Sequence, residues 1–334
     1  MTAYPFFEIM IIIINENHNP AFNLAAEEYL IKNAKESIFM LWRNSPAVIV
    51  GVNQSTPAEI SREYCEKNGI SVIRRLTGGG AVYHDLGNVN YTYIEKNEGD
   101  KFANYKRFTK DIIDYLATFG LKAELSGRND VLLFGKKIMG NAQCVKGDNI
   151  MHHGCILYST DLTVLQKALK VDKAKINGKG IKSVSGRVTN IAEHIKDKMP
   201  VETFIKGLET FMIKRYNCKV REFKSAEIDA INELKSNKYS TFSWNYGTSP
   251  EYTYHNKEKF PFGIVNVAFN VKNGCICDIK IHGDFFGSMP IELLEEKLIG
   301  VEHSGEKIYA ALKETDVDLF IKGCSISDLI KLFV

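Results

Sequence analysis

Three consecutive glycines, Gly78 to Gly80, follow at once on the strand-like run Ser71 to Arg75. The segment reads Arg74-Arg75-Leu76-Thr77-Gly78-Gly79-Gly80-Ala81-Val82-Tyr83-His84-Asp85. With no Cβ in the way, the peptide N–H groups of such a loop can approach an oxyanion closely, and two arginines arrive beside them. The loop is no Walker A, because G-x-x-x-x-G-K-[ST] is absent. It is no dinucleotide fingerprint either, because Tyr83 takes the third glycine position and no long helix pattern follows. A flexible hairpin bend with surface arginines fits the same residues. Both readings stand at this point.

The loop sits in a chain of 334 residues, enough for roughly two domains at the usual ~150 residues each. With 43 Lys+Arg against 40 Asp+Glu the net charge is +3, too small for whole-surface affinity to nucleic acid or anionic membrane. The longest aliphatic run, Ile9 to Ile14, falls far short of the ~20 residues of a membrane helix and reads as a buried strand. No basic stretch precedes it to make a secretory signal, so a cytoplasmic protein is expected. The 7 cysteines include no C-x-x-C pair, which leaves both a disulfide framework and a zinc site unsupported.

Along the chain, Asn19-Pro20 offers a cap and first-turn proline for an amphipathic helix through Phe22, Ala25, Ala26 and Tyr29. Phe39 to Trp42 and Ala47 to Val50 read as paired strands. Thr56-Pro57-Ala58-Glu59 reads as a capping box, with Gly69 ending that helix. A 3.6-residue stripe over 101–119 predicts a helix that covers a sheet. Val131 to Phe134, Lys137 to Val145 and Met151 to Tyr158 read as an antiparallel meander, and Leu162 to Leu169 and Val201 to Tyr216 as helices. The polar, Tyr-rich stretch after Ser236, with Trp244, Tyr246 and Tyr252, reads as a connector. Beyond it alternation resumes: Val265 to Val271 and Cys275 to Ile281 form a hairpin around Lys272-Asn273-Gly274, followed by short helices. The expected fold class is α+β: a large domain of mixed and antiparallel sheets flanked by helices over residues 1–245, a connector over 246–260, and a small α+β domain over 261–334.

Three further clusters carry chemistry. Lys137 alternates with Ile138 on a strand otherwise suited to burial, so its ammonium is expected to face a cleft, although a solvated turn lysine fits the same context. His152 and His153 are adjacent on a strand and point to opposite faces, which argues against a shared metal and leaves one of them facing the cleft. The loop from Lys173 to Arg187 carries Lys173, Lys175, Lys179, Lys182 and Arg187 with no acidic residue, suited to ATP or a carrier protein if not simply solvated.

In order and spacing, these segments resemble the lipoate–protein ligases. The matching motifs are Arg74-Arg75-x-Thr77-Gly-Gly-Gly-Ala-Val-Tyr-His84-Asp85, Gly127-Arg-Asn-Asp130, Lys137-x-x-Gly140-x-Ala142, His153-Gly154 and Lys179-Gly-Ile-x-Ser183-Val-x-x-Arg187-Val-x-Asn190. Asn23-Leu-Ala-x-Glu27-Glu28 and Leu41-Trp42-Arg43-Asn44 extend the likeness toward the amino terminus, and Gly283-Asp-Phe-Phe286 carries it into an accessory carboxy-terminal domain. The resemblance implies a biotin/lipoate ligase-like fold and an ATP-dependent reaction with Mg²⁺. Lipoate is first activated to lipoyl-AMP with release of pyrophosphate. The lipoyl group then passes to a lysine of a lipoyl domain of 2-oxoacid dehydrogenases or of glycine-cleavage H protein.

By motif position the resemblance places Trp42, Arg75, Thr77, His84 and Lys137 around lipoate. It places Arg75, Gly78, Gly79, Gly80, Ala81, Val82, Tyr83, Asp130, Lys137, Ala142, His153 and Lys179 around ATP or the adenylate, with Lys137 catalytic and Asp130 a neighbour of the metal. Met139, Gln143 and Cys144 depart from the family pattern, so Met139 is expected to reshape the slot and Gln143 and Cys144 to alter the carrier-facing edge. The alternative reading is a lipoyl or octanoyl transferase using a preformed donor. The thioester cysteine of one such branch would lie near Asn129-Asp130, where this chain has none. A binding protein that retains the fold without catalysis is the remaining alternative.

Overall fold

The computed structural model describes residues 10–99, 101–127, 129–169, 187–216, 218–246, 254–272 and 274–333. The expectations on Arg128, Tyr252 and on Lys173, Lys175, Lys179 and Lys182 lie outside the described residues. Among the described residues no helix is long and apolar enough to cross a membrane.

Fourteen strands are described, ten of them before the chain's midpoint: β1 (Ile11–Ile14), β2 (Ile38–Trp42), β3 (Ala47–Val50), β4 (Ser71–Arg74), β5 (Val82–His84), β6 (Asn88–Lys96), β7 (Ala123–Ser126), β8 (Asp130–Leu133), β9 (Lys136–Lys146) and β10 (Asn149–Leu157). β11 (Lys219–Glu222), β12 (Tyr254–Phe260), β13 (Gly263–Lys272) and β14 (Cys275–Gly283) follow. They build an eight-stranded mixed sheet in the order β11-β1-β2-β6-β10-β9-β8-β7 and two three-stranded sheets, β4-β3-β5 and β12-β13-β14. With helices on their faces, this is the α+β class expected.

The register of the large sheet positions the site. Trp42, Asn90, Cys155, Gly140 and Asp130 lie side by side across β2, β6, β10, β9 and β8. Because side chains alternate along a strand, Met40, Thr92, His153 and Ala142 form the next row of the same face. The opposite face carries Phe39, Leu41, Tyr91 and Tyr93. The helices Tyr105–Ala117 and Val201–Tyr216 cover it with Phe108, Ile112, Tyr115, Phe204 and Leu208. The 101–119 stripe thus does what its spacing predicts, and Gly120 ends the helix region at φ +76°.

Helix α1 (Pro20–Asn33) is capped as the sequence suggests, with the Asn19 side chain accepting from the Phe22 N–H at 2.9 Å. It is not amphipathic in use. Eleven of its fourteen residues are buried, because it is packed between the large sheet and the sheet β4-β3-β5, touching Ile13 and Met40 on one side and Ile49 and Ile73 on the other.

Two local expectations need correction. β2 and β3 do not pair: β2 joins β1 and β6, whereas β3 joins β4 and β5. Between them Asn44 is drawn inside by the Asn23 amide at 2.9 Å, and the chain crosses from one sheet to the other. The capping box also fails. Thr56 lies inside a one-turn helix, Thr56–Glu59, and its hydroxyl donates to the Asn245 carbonyl at 2.6 Å instead of capping. Extended Ile60 ends that turn, and a second helix, Arg62–Lys67, leads to Gly69 at φ +64°.

The stretch expected as a connector is structured at both ends. Phe242–Tyr246 is a helix whose Trp244 indole donates to the Arg74 carbonyl at 2.9 Å. Tyr254–Phe260 is β12, the antiparallel edge of the last sheet. Its side chains are largely exposed and charged, as suits an edge, and that is why its composition reads as a linker. The last sheet packs its own core of Val265, Val267, Phe269, Ile279, Ile308 and Leu312 against short helices. It touches the rest of the chain through the end of β14 and the segment after it: the Gly283 N–H donates to the Asn53 carbonyl at 2.7 Å, and the Gly79 N–H to the Phe285 carbonyl at 3.3 Å.

Candidate active site

β4 delivers two adjacent arginines to opposite duties. Arg74 donates to the carbonyls of Gly51, Val52, Gln54 and Trp244 and to the Thr56 hydroxyl, tying together the segments around it. Arg75 turns the other way. Its Nη1 donates to the Ile49 carbonyl at 3.1 Å, its Nη2 to the carbonyls of Gly78 and Gly80 at 2.6 and 2.9 Å, and its Nε to the Thr77 hydroxyl at 2.9 Å. All four of these acceptors are neutral. Burial brings its pKa down to about 10, against a partial opposing pull from Glu27, so it stays charged at neutral pH and can receive an anion.

The glycine loop is bent tightly around that guanidinium. Gly79 sits at φ +91°, and a Cβ on Gly51 would stand 2.1 Å from the Gly79 carbonyl oxygen. One N–H of the loop is engaged, since Gly79 donates to Phe285, and a Cβ on Gly78 would stand 2.3 Å from that same Phe285 oxygen. The surface-bend reading fails, because Arg75 is buried and holds the loop.

Lys137 faces the site side of the sheet. Its ammonium is 2.8 Å from Asp130 and lies across Gly140, where a Cβ would come within 2.9 Å of Nζ. The Thr189 N–H donates to the Lys137 carbonyl at 3.1 Å, which fixes the backbone beneath the ammonium. Lys137 and Arg75 share a neighbour, the Cys155 thiol. Both cations favour its ionisation, yet burial outweighs them and pushes it up to about 12.

A buried polar chain links the two ends of the site. The Trp42 indole donates to the Thr92 hydroxyl at 2.9 Å, which donates to Glu27 at 2.7 Å; His153 Nδ1 meets the same carboxylate at 2.9 Å. His153 Nε2 lies 2.8 Å from the Thr77 hydroxyl, which also accepts from Arg75. Every partner is satisfied when His153 carries its proton on Nδ1 and accepts from Thr77 at Nε2, and that is the tautomer assigned from the network.

His84 stands edge-on to Trp42, ring centroids 6.2 Å apart, with Nδ1 accepting from Asn44 at 3.1 Å. Among the described residues its Nε2 has no partner, and on β6 both amide atoms of buried Asn90 also have none. His152 lies on the other face, stacked on Phe108 at 4.8 Å and bonded to Gln143, as the alternation of adjacent residues requires. Burial, reinforced by Arg75 and His153, pushes His84 down to about 3, and burial takes His152 well below 6.5. Both are neutral in the fold, whereas the unfolded chain protonates them below about 6.5. Their contribution to stability is therefore intact above that pH and is lost as pH falls toward 3, by up to roughly 1.4 kcal/mol per pH unit for each histidine. Urea midpoints should drop between pH 6.5 and 4; a flat profile contradicts the assignment.

The structure thus brings together Trp42, Arg75, Thr77, His84 and His153, with Lys137, Asp130 and Ala142 on the same sheet face. It sends other side chains elsewhere. Tyr83 packs with Val48, Val50 and Cys65, away from His84, and Ala81 borders that cluster, while Val82 packs toward α1. Met139 belongs to the core on the opposite face rather than to the slot. Gln143 bridges His152 and the Ala103 N–H, and Cys144 is buried against α1 with its thiol pushed up to about 12. Neither forms a carrier-facing edge, because both side chains are consumed by interior packing. Lys179 lies outside the described residues. Missed as functional candidates were Glu27, Asn44, Thr92 and Asn90. Polar Asn23 and Glu27, four apart on a helix whose first two turns are otherwise mostly apolar, were the available signal for the first of these.

Residues 19–212 match the family model described as the lipoyl protein ligase A/B catalytic domain, and residues 249–333 match that of the bacterial lipoate protein ligase C-terminus. Lipoate–protein ligase 1 of Staphylococcus aureus is 42% identical over 328 residues, 97% of this chain and 99% of that protein. The lipoate-protein ligase LplJ of Bacillus subtilis is 40% identical over 329 residues, with 97% of this chain and 99% of that one covered. Among solved structures, LipL1 of P. falciparum in complex with lipoate superposes with a TM-score of 0.77 at 28% identity, covering 92% of this chain and 95% of its own. A lipoate-protein ligase A bound with ATP gives 0.61 at 26% identity, covering 72% and 99%.

Proposed function

Because this chain belongs to the lipoate–protein ligase family, we propose that it activates free lipoate with ATP and then transfers the lipoyl group to a carrier-protein lysine. In the first step a lipoate carboxylate oxygen attacks the α-phosphorus, a P–O bond forms, and the bond to pyrophosphate breaks. Lys137, Arg75 and the glycine loop stabilise the charge developing there. In the second step the carrier amine attacks the mixed-anhydride carbonyl, loses a proton, and AMP departs with the bonding electrons.

The observation that carries this reading is that a buried, carbonyl-held Arg75 and Lys137 both act on the Cys155 thiol, on a sheet face whose row continues through Asn90 to Trp42. The cations suit a carboxylate and a phosphate, and the indole suits an apolar tail. Thr77, His84 and His153 border the acyl slot. The adenylate lies against the loop from Gly78 to Tyr83, with Tyr83 contributing backbone, and against Asp130, Ala142, His153 and Lys179. Among the described residues no three His, Cys, Asp or Glu side chains gather as a metal cage. Mg²⁺ would therefore enter on the nucleotide's phosphates with Asp130 as a carboxylate neighbour. The acceptors are lipoyl domains of 2-oxoacid dehydrogenases or glycine-cleavage H protein, in the cytoplasm, with neither nucleic acid nor membrane as a partner.

The test incubates purified protein with ATP, Mg²⁺, lipoate and an apo lipoyl domain, following pyrophosphate and the modified lysine. Modification that requires ATP and releases pyrophosphate is expected. Modification from an acylated donor without pyrophosphate would make the protein a transferase, and lipoate binding without either product would make it a binding module.

A further inference from the structure

The deepest unsatisfied polar group on the site face is Asn90. It is 1% exposed, and among the described residues neither its Nδ2 nor its Oδ1 has a hydrogen-bond partner. An amide left unpaired in a buried place costs roughly 1–3 kcal/mol, so its retention calls for a ligand. Its position in the register says which part of a ligand it meets. Asn90 lies between Trp42 and Cys155, two strands from Gly140, over which the Lys137 ammonium rests.

Two interstrand steps of about 4.8 Å separate Gly140 from Asn90, close to 10 Å in all. In extended lipoate the sulfurs lie roughly 8–10 Å from the carboxyl carbon, at the usual ~1.5 Å carbon–carbon bond length. A carboxylate drawn to Lys137 therefore sets the dithiolane ring beside Asn90, against Trp42. Edge-on to Trp42, His84 holds a second buried donor without a partner among the described residues, Nε2–H, since its Nδ1 accepts from Asn44. The same face already shows an amide meeting sulfur: Asn88 Nδ2 donates to Cys155 Sγ at 3.0 Å.

Resting on the proposed lipoate slot, we infer that Asn90 is a specificity-determining residue, donating from Nδ2 to a dithiolane sulfur, with His84 Nε2–H as a second donor beside the ring. Sulfur is a weak acceptor, but a buried donor with no other partner gains from it. Fatty acids of the same length leave both donors unmet.

The experiment compares kcat/KM for pyrophosphate release with lipoate, octanoate and 5-cyclopentylpentanoate, the last having the shape of lipoate without its sulfurs. Wild-type protein is expected to favour lipoate over the cyclopentyl acid by roughly tenfold, the worth of about 1.4 kcal/mol. In Asn90→Leu that ratio should collapse toward one. A wild-type ratio near one overturns the inference even if the variant does not fold. So does a variant in which all three acids lose activity equally, which would make Asn90 structural while leaving the slot in place. Absence of pyrophosphate release by wild-type protein with every acid would instead refute the ligase reading itself.

Discussion

Lys137→Ala should release pyrophosphate from ATP and lipoate at least about a thousandfold more slowly than wild-type protein, while melting at the same temperature. The two halves of that expectation come from the same geometry. Lys137 is a third exposed, and its ion pair with Asp130 is of the half-exposed kind whose loss costs at most about 1 kcal/mol. No core contact depends on the ammonium, so the fold tolerates its removal. In the proposed mechanism the reaction does not, because Lys137 is the cation held over Gly140, where carboxylate and α-phosphate would approach despite their like charges. Lys137→Arg is not expected to restore the rate, since the planar guanidinium lacks the compact point charge that fits over a glycine. Near-normal pyrophosphate release by the alanine variant would remove the main support for the mechanism.

Arg75→Met should fail in both respects, losing adenylate formation and about 3 kcal/mol or more of stability. The guanidinium is 5% exposed and is the donor to the carbonyls of Ile49, Gly78 and Gly80. Methionine fills much of the volume but satisfies none of them, and the bend at Gly79 loses what holds it. Arg75→Lys should recover little, because one ammonium does not span carbonyls that the planar fork reaches together. Urea midpoints and pyrophosphate release on the same preparations test this, and an unchanged midpoint would mean that the loop is held by other contacts.

The contrast between these two cations was not legible in the sequence, where both are basic residues beside glycines. Legible were features set by near neighbours: the Asn19 cap, the stripe over 101–119, the meander β8-β9-β10 and the β13-β14 hairpin. Pairings across sheets were not, since the runs flanking Asn44-Ser45-Pro46 read alike whether the chain folds back or crosses over. β12 was hidden by its charged edge. Of the site, the ordered motifs drew Trp42, Arg75, Thr77, His84 and Lys137 together, but Glu27 meets Thr92 and His153, and Asn90 lies between Trp42 and Cys155, all distant in the chain, so neither leaves a local pattern. Tyr83 is a different case. The alternation that separates His152 from His153 also separates Tyr83 from His84, and applied there it assigns the Tyr83 ring to the interior.

A peptide hydrogen serves one strong acceptor well. With the Gly79 hydrogen on the Phe285 oxygen, a phosphate bound as proposed would have to unseat the accessory module's fingertip to claim it, so nucleotide entry and docking of that module are rival demands on a single atom.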